Sequence, residues 1–181
     1  MKTDVLIVGC GVAGLYAALS LPKEKQITVI TKSDAESSDS YLAQGGICVL
    51  RNDDDYDAFF KDTLKAGHYE NNCESVDIMI RSSQETIRDL IGYGVDFTKK
   101  NGELCYTREG AHSSHRILYH KDITGEEITK KLLARTRERE NITIMEYTTM
   151  LDLLERDGEC IGIAAKDAEG KIFPIIADAV L

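Results

Sequence analysis

Residues 9 to 14, close to the start of the chain, constrain its fold more than any other part of the sequence. An apolar run of strand length, Asp4 to Val8, leads without a spacer into Gly9-Cys10-Gly11-Val12-Ala13-Gly14, and the run from Leu15 to Leu21 is typical of a helix. A strand, a G-x-G-x-x-G turn and a helix form the phosphate-binding unit of dinucleotide-binding folds. In that unit the free N–H groups at the start of the helix face the phosphates. The pattern therefore predicts nucleotide binding at this turn.

The strand pattern predicts an α/β fold in which a βαβ unit precedes an antiparallel meander. Gln26 to Thr31 is β-branched and predicts a second, parallel strand, and Ile142 to Met145 predicts a third. Asp157-Gly158 and Glu169-Gly170 are hairpin-type turns between three short apolar runs, at 151–155, 160–166 and 171–176. Residues 177–181 are expected to begin another strand. Because that strand has no cap or polar tail, we expect the chain to be part of something longer.

Three helices are predicted between the second and third strands. Asp53 to Asp55 are expected to start a helix that runs to about Ala66. Ser75 is expected to cap a second helix, with a break near Ser82-Ser83 and an end at Gly92 or Gly94. Thr124-Gly125-Glu126-Glu127 fits a capping box for a helix to about Arg139. The polar residues 32–40 predict a loop, and residues 41–50 are too rich in glycine for a regular element.

Composition excludes several classes of function. The chain has 181 residues, 29% of them charged and 43% hydrophobic, which is the composition of one sizeable soluble core. Its net charge of −9 argues against binding to nucleic acid or to an anionic membrane, and no apolar stretch approaches the length of a membrane span. The five cysteines are scattered, odd in number and without a C-x-x-C pair, which predicts no metal site, no disulfide framework and a cytoplasmic location. Each cysteine is expected to be buried or half-buried.

Several segments together carry a resemblance to a known family. The glycine turn and the run from Ser40 to Ile47, which contains Ala-Gln-Gly-Gly, look like the flavoproteins related to succinate dehydrogenase and fumarate reductase. Four further segments make the resemblance more specific. They are residues 62–67, the segment Thr107-Arg108-Glu109-Gly110-Ala111-His112-Ser113, residues 116–118 and residues 122–125. Together they resemble the L-aspartate oxidases. The Thr-Arg-Glu-Gly-x-His-Ser segment is the more specific marker, and the resemblance covers nearly the whole chain.

The resemblance implies a Rossmann-like FAD-binding domain with a parallel sheet and an antiparallel β-meander. Residues 1–181 would be the N-terminal part of that domain, with the capping domain and the C-terminal domain absent. FAD would be non-covalent, because the covalently flavinylated relatives carry a histidine where this chain has Asp39-Ser40-Tyr41. The residues expected to bind FAD are Gly9, Cys10, Gly11, Val12, Ala13, Gly14, Lys32, Asp39, Ser40, Tyr41, Leu42, Ala43, Gln44, Gly45, Gly46, Thr149 and Met150.

The resemblance also implies a reaction, the oxidation of L-aspartate to iminoaspartate with oxygen or fumarate as the acceptor. This would be the first step of de novo NAD biosynthesis, with quinolinate synthase as a candidate partner downstream. Glu109 would orient L-aspartate by pairing with its ammonium group. No residue of this chain takes the role of the catalytic base, because the family's base lies outside it, and the chain alone is expected to be inactive. Taken without the resemblance, Glu109 would be an ordinary solvated carboxylate.

Two alternatives stay open at this point. The first is a fumarate reductase or succinate dehydrogenase flavoprotein with the same fold and another substrate. The second is a catalytically inert module that binds a nucleotide weakly or not at all. Among the basic residues, Arg108 and Arg116 could bind a dicarboxylate or could be solvated, and His112 is more often a loop histidine than a catalytic one.

Overall fold

A computed structural model describes residues 1–181, the whole chain. The strands in chain order are β1 Lys2–Val8, β2 Ile27–Ile30, β3 Ile47–Cys48, β4 Lys99–Lys100, β5 Glu103–Leu104, β6 Tyr106–Thr107, β7 Ile117–Leu118, β8 Ile142–Met145, β9 Thr149–Arg156, β10 Glu159–Lys166 and β11 Ile172–Val180. The helices are α1 Val12–Ser20, α2 Asp39–Leu42, α3 Tyr56–Ala66, α4 Cys73–Gly92 and α5 Thr124–Arg137, and a 3-10 turn, Asp53–Asp55, precedes α3. No helix combines the length and the apolar character needed to cross a bilayer.

The chain divides into two compact units, and the first contains Met1–Leu42 and Ile128–Leu181. Its sheet has six strands in the order β8-β2-β1-β11-β10-β9. β8, β2, β1 and β11 run parallel, whereas β9, β10 and β11 form an antiparallel meander. The predicted βαβ unit, the third parallel strand and the meander are therefore confirmed. All four residues of β2 are buried, as expected for a β-branched strand in a sheet covered on both faces.

The prediction of a separate strand at residues 177–181 is wrong. Residues 172–180 form one strand, β11, which pairs in parallel with β1 and in antiparallel with β10. No turn residue separates Ile176 from Ala177, so nothing in the sequence ends the strand there. β11 supplies Ile175 and Ala177 to a buried cluster that also contains Leu6, Ile163 and Ala165. This cluster joins the parallel and antiparallel halves of the sheet.

The second unit, Ala43–Glu127, is built on α3 and α4, whose shared core contains Leu50, Phe59, Val76 and Ile80. Asp55 is the residue before α3, within the predicted start at Asp53 to Asp55, but its side chain makes no cap bond. Asn52 caps the 3-10 turn by accepting from the Asp55 N–H, and Asn72, rather than the predicted Ser75, caps α4 by accepting from the Ser75 N–H. Asparagine accepts helix N–H groups as well as serine or aspartate does.

The predicted break at Ser82-Ser83 and the predicted capping box at Thr124 are also wrong. α4 runs unbroken from Cys73 to Gly92, and the Ser82 and Ser83 hydroxyls are accommodated within it by donating to the carbonyls of Ile78 and Ile80, at 2.7 and 2.6 Å. The Thr124 hydroxyl accepts from the His120 N–H instead, and the Glu127 carboxylate accepts from the Asp96 N–H. Thr124 is the first residue of the helix and not the residue before it, and the Glu127 N–H donates to the Ile123 carbonyl at 3.0 Å. The capping-box position is therefore not at Thr124.

Three further local predictions need correction. Within the segment predicted to be irregular, residues 39–42 form the short helix α2 and residues 47–48 form β3. Cys73 and Cys160 are exposed, so the expectation of burial holds only for the other cysteines. Cys73 is the first residue of α4 and Cys160 lies next to the β9–β10 turn, and element ends are where side chains meet solvent.

Candidate functional site

The glycine turn is closed by backbone contacts that only glycine permits. Gly9 follows β1, donates its N–H to the Ile30 carbonyl at 2.9 Å and has a φ of +123°, which side chains disfavour. A Cβ on Gly14 would lie 2.0 Å from the Gly9 carbonyl oxygen and 3.2 Å from the Ile7 Cγ2. The first turn of α1 therefore packs directly on the turn that precedes it, as the sequence pattern predicts.

The start of α1 presents backbone donors without a capping side chain of its own. Gly11 is the N-cap and makes no side-chain cap, and the first hydrogen bond of the helix runs from the Leu15 N–H to the Gly11 carbonyl at 3.0 Å. The Val12 N–H donates to the Ser40 hydroxyl at 3.3 Å. The first N–H groups of a helix have no acceptor within the helix, and the helix dipole is positive at this end. Both features suit the binding of a phosphate group.

The Cys10 side chain keeps this helix start free of negative charge. Cys10 is 2% exposed, and burial, opposed by the charge of Arg137 and assisted by that of Glu146, raises the pKa of its thiol to about 11. The thiol is therefore neutral at physiological pH. A thiolate at this position would repel the phosphates that the glycine turn is predicted to bind, and the high pKa prevents it.

A cleft of about 500 Å³ opens at the carboxyl ends of β1 and β2, and we call it the glycine-turn cleft. The predicted site residues that line it are Gly9, Cys10, Gly11, Lys32, Asp39, Ser40, Thr149 and Met150. Lys32 is exposed and supplies a cationic side chain. Val12, Ala13, Gly14, Tyr41 and Leu42 belong to the same unit but do not line the cleft. Ligands of open α/β sheets bind at this end of the strands.

Sequence reasoning missed seven residues that also line the glycine-turn cleft. They are Val8, Ile30, Thr31, Ser33, Ser37, Ser38 and Thr148. Five of them lie at or directly after the carboxyl ends of parallel strands or directly before a predicted site residue, and that position is the signal that could have identified them. Ser33 and Ser37 carry no such signal, because both lie within the loop between β2 and α2.

The donors that line the cleft fit the chemistry of FAD. A Cβ on Gly11 would lie 3.0 Å from the Ser40 hydroxyl oxygen and would narrow the cleft at the turn. Free helix N–H groups, a lysine ammonium group and serine hydroxyls are donors suited to a pyrophosphate and ribose. Many such folds carry an acidic residue at the end of the second strand, which binds the ribose hydroxyls. This chain has Lys32 there, so that carboxylate contact is not expected from this position.

In the second unit, the Ala-Gln-Gly-Gly run is open to solvent at its first three residues. Ala43, Gln44 and Gly45 are exposed, and Gly46 is half-buried. A Cβ on Gly46 would lie 2.2 Å from the Leu118 carbonyl oxygen and 2.3 Å from the Ile117 Cγ2. Packing of β3 against β7 therefore requires glycine at Gly46, while the flavin contacts of residues 43–46 stay a prediction.

Glu109 lies beside this run within the same unit. Its carboxylate is exposed, and the Oε2 is 3.7 Å from the position that a Gly45 Cβ would take. The His112 N–H donates to the Glu109 carbonyl at 3.0 Å and closes a tight turn around Gly110, whose φ is +29°. The turn leaves the Glu109 side chain free to meet a ligand in front of Gly45.

Arg116 anchors the end of the Glu109 segment in the protein interior. Its side chain is 0% exposed and pairs with Asp55 at 2.8 Å and with Asp62 at 2.6 Å, two residues that lie two helical turns apart. The Ser113 hydroxyl adds a bond to Asp62 at 2.7 Å, and Ser114 bonds Asp55 at the same distance. Both readings of Arg116 from sequence, a dicarboxylate ligand or a solvated side chain, are wrong. Arg108, by contrast, is exposed.

The hydrogen bonds to Asp62 hold it ionised. Burial alone would raise the pKa of the Asp62 carboxyl, but donors from the Ser113 N–H, the Arg116 guanidinium and the Ser113 hydroxyl outweigh burial and lower the pKa to about 2. The pKa of Asp55 is also lowered, first by its hydrogen bonds with Arg116. The segment that carries Glu109 is thus fixed to α3 by charges that persist at neutral pH.

Comparison with known protein families identifies the cofactor. A family model described as "FAD binding domain" matches residues 4–181. The chain belongs to the FAD binding domain family. FAD is therefore its cofactor, in agreement with the prediction, and the glycine turn lies at the start of the matched FAD binding domain region.

The relatives of this FAD binding domain are flavoenzymes. An L-aspartate oxidase of Clostridium perfringens is 44% identical over 178 residues, which are 98% of this chain and 40% of that protein. An L-aspartate oxidase of Clostridium acetobutylicum is 46% identical over 166 residues, 91% of this chain and 38% of that protein. Among solved structures, an E. coli quinol fumarate reductase superposes with a TM-score of 0.93 at 26% identity, over 99% of this chain and 32% of that one. The chain thus spans about 40% of the length of the relatives it matches.

Proposed function

We propose that residues 1–181 are the N-terminal part of the FAD-binding domain of an L-aspartate oxidase, a cytoplasmic enzyme that oxidises L-aspartate to iminoaspartate. Oxygen or fumarate would be the acceptor, and the product would enter NAD biosynthesis, where quinolinate synthase would act next. The observation that carries the proposal is Glu109, an exposed carboxylate next to Gly45 in the segment that most specifically resembles the L-aspartate oxidases. The 44% identity to the C. perfringens enzyme supports it.

In this mechanism the chain binds and orients, and the redox chemistry comes from the cofactor. The glycine turn and Lys32 would hold the FAD pyrophosphate and adenosine side without a covalent bond. The Glu109 carboxylate would accept hydrogen bonds from the substrate ammonium group, which fixes the direction of the Cα–H bond. FAD, when bound, supplies a two-electron acceptor for the hydride of that bond. Loss of the hydride from Cα and of one proton from the ammonium nitrogen leaves the iminium ion, and loss of a second proton to solvent gives the imine.

The negative charge of Glu109 would also favour an amino acid over a plain dicarboxylate. Succinate has no ammonium group, so its approach to Glu109 would bring like charges together. The buried anchor at Arg116 would keep Glu109 in place, because the segment cannot move without breaking bonds to Asp55 and Asp62. Among the residues of this chain we propose no catalytic base, and the 181-residue chain alone is expected to bind FAD without oxidising L-aspartate.

A chimera tests this proposal directly. This chain would replace the matching 178-residue segment of the C. perfringens L-aspartate oxidase, and FAD content would be measured before activity. We expect L-aspartate to be oxidised and succinate not to be. Glu109→Gln should lower kcat/KM for L-aspartate roughly 10- to 100-fold, the effect of losing one charge-assisted contact, whereas the exposed Glu103→Gln should change it less than twofold.

Each other outcome points to a different function. A chimera that oxidises succinate but not L-aspartate would assign the chain to a fumarate reductase or succinate dehydrogenase flavoprotein, which the likeness to the E. coli structure also supports. An FAD-loaded chimera that oxidises neither would support an inert nucleotide-binding module. Equal losses in the Glu109 and Glu103 variants would remove Glu109 from the substrate site.

A further inference from the structure

The second unit contains a cavity that the proposed FAD and aspartate sites do not use. Its volume is about 450 Å³, and it lies between α3, α4, β3 and residues 111–112. We call it the α3–α4 cavity. Neither Glu109 nor residues 43–46 line it. Its volume is in the range of sites for small molecules, roughly 300 to 1,000 Å³.

The walls of the α3–α4 cavity are chiefly apolar. Phe59 and Ala66 line it from α3, and Met79 lines it from α4. Met79 is 48% exposed, so the cavity is open to a ligand from solvent on this side. Methionine adapts its shape to different apolar ligands because it is unbranched and has three rotatable bonds.

Most polar groups in the lining already have partners and offer no proton to the cavity. The four hydroxyls in the lining each donate to a carbonyl of their own helix. The bonds are Thr63 to Phe59 at 2.9 Å, Ser82 to Ile78 at 2.7 Å, Ser83 to Ile80 at 2.6 Å and Thr86 to Ser82 at 3.2 Å. The Asp62 carboxylate accepts from Arg116 and Ser113. A ligand rich in hydrogen-bond acceptors would therefore lose its hydration here without regaining equivalent hydrogen bonds.

His112 is the exception, and Arg116 determines where its ring proton lies. The His112 Nδ1 is 3.3 Å from the Arg116 Nη1. Arginine can only donate, so Nδ1 accepts and the ring proton lies on Nε2. That Nε2 is 3.4 Å from the Cys48 sulfur, which is a weak acceptor. An oxygen acceptor in the cavity would be a better partner for the Nε2–H than the sulfur is.

We propose that the α3–α4 cavity binds a compact, mostly apolar molecule with one hydrogen-bond acceptor, such as an aryl ketone, whose oxygen accepts from the His112 Nε2–H. The apolar body would lie against Phe59, Ala66 and Met79. The site is independent of the proposed oxidase activity, since it rests on residues that bind neither FAD nor L-aspartate in that proposal.

The test compares two probes of similar shape that differ in one acceptor, acetophenone and isopropylbenzene. The 181-residue chain would be titrated with each while the Met79 methyl signal and the backbone amides of Ala111 and His112 are followed by NMR. We expect saturable shifts at all three positions with both probes. Acetophenone should bind roughly 3- to 10-fold more tightly, the effect of one hydrogen bond. His112→Phe should abolish this preference and leave isopropylbenzene binding in place.

Blocking variants locate the site. Met79→Trp should fill the cavity and abolish binding of both probes, and Ala66→Phe should do the same from the opposite wall. Ile78→Trp is the matched control, because Ile78 is the preceding residue of α4, is 60% exposed and does not line the cavity. Absence of saturable shifts at Met79, or equal loss in the Ile78 variant, would overturn the site. Equal affinity for the two probes would overturn the role of His112. Amide dispersion in each spectrum reports that the variant is folded.

Discussion

The Arg116 guanidinium donates two parallel hydrogen bonds to the Asp55 carboxylate, from Nε to Oδ2 at 2.9 Å and from Nη2 to Oδ1 at 2.8 Å. The third nitrogen, Nη1, donates to Asp62 at 2.6 Å, and the Phe59 ring lies 4.9 Å below the guanidinium carbon. All three nitrogens of a fully buried cation thus donate to a carboxylate. The network ties α3 to the segment that carries Glu109, so it links the stability of the second unit to the geometry of the proposed substrate contact.

Replacing Arg116 should strongly destabilise the second unit. Arg116→Leu leaves two carboxylates partly buried without their cation, and we expect the free energy of unfolding to fall by about 3 to 5 kcal/mol. Urea unfolding followed by circular dichroism measures it. The control is Arg135→Leu, which removes an exposed pair with Glu138 and should cost about 1 kcal/mol or less. If Arg116→Leu lowers the free energy of unfolding no more than Arg135→Leu does, the anchoring role of Arg116 is contradicted.

The Asp62 carboxylate should make the stability fall in acid. Its pKa is lowered from 3.8 to about 2 in the folded chain, so its stabilising contribution is fully present above about pH 4 and is lost as the pH falls towards 2. Unfolding free energies measured across this interval should rise with pH. Asp62→Asn should reduce the slope of unfolding free energy against pH. The control Asp57→Asn, at an exposed position of the same helix, should leave that slope unchanged. An identical slope in both variants would exclude Asp62 as its source.

The fold was largely predictable because its strands are marked by local patterns. The β-branched residues 27–30, the glycine turn and the two hairpin turns each identify an element without information from the rest of the chain. The caps were less predictable, since asparagine, serine and aspartate are all acceptable N-cap residues and several stand near each helix start. Asp55 precedes α3, but its carboxylate pairs with Arg116 and makes no cap bond, and sequence patterns do not reveal such a long-range pair.

The lining of the glycine-turn cleft was predictable where strand ends converge and where the family resemblance indicated more distant residues, as at Asp39, Ser40, Thr149 and Met150. The glycine turn and Lys32 could be assigned to one ligand because strand ends in a βαβ unit converge. The burial of Arg116 and the α3–α4 cavity could not be predicted, because each brings together side chains that lie far apart in the sequence. A retrospective signal exists for the ion pairs, since Asp55 and Asp62 are seven residues apart and share one helical face.

Gly14 should tolerate no side chain. In Gly14→Ala the new Cβ would lie 2.0 Å from the Gly9 carbonyl oxygen, a backbone atom that cannot rotate away. We expect a loss of about 3 kcal/mol in unfolding free energy, together with loss of FAD binding. Gly92→Ala is the control, because a Cβ there meets nothing within 4 Å at the end of α4, and it should stabilise the chain by up to about 1 kcal/mol. Equal unfolding midpoints for the two variants would refute the close contact.

Gly11→Ala should separate FAD binding from folding. Its Cβ would lie 3.0 Å from the Ser40 hydroxyl oxygen, which belongs to a side chain that can turn aside, so the fold should survive. The same methyl group would occupy the glycine-turn cleft where the pyrophosphate is expected, and turning Ser40 aside would break its bond from the Val12 N–H. We expect the FAD dissociation constant to rise at least tenfold, about 1.4 kcal/mol, with an unfolding midpoint close to that of the unaltered chain. Flavin fluorescence titration measures the first quantity and urea unfolding the second. Gly92→Ala is the control, because Gly92 lies in the other unit, and it should leave the FAD affinity unchanged. Unchanged FAD affinity in a folded Gly11→Ala chain would place the pyrophosphate away from this turn.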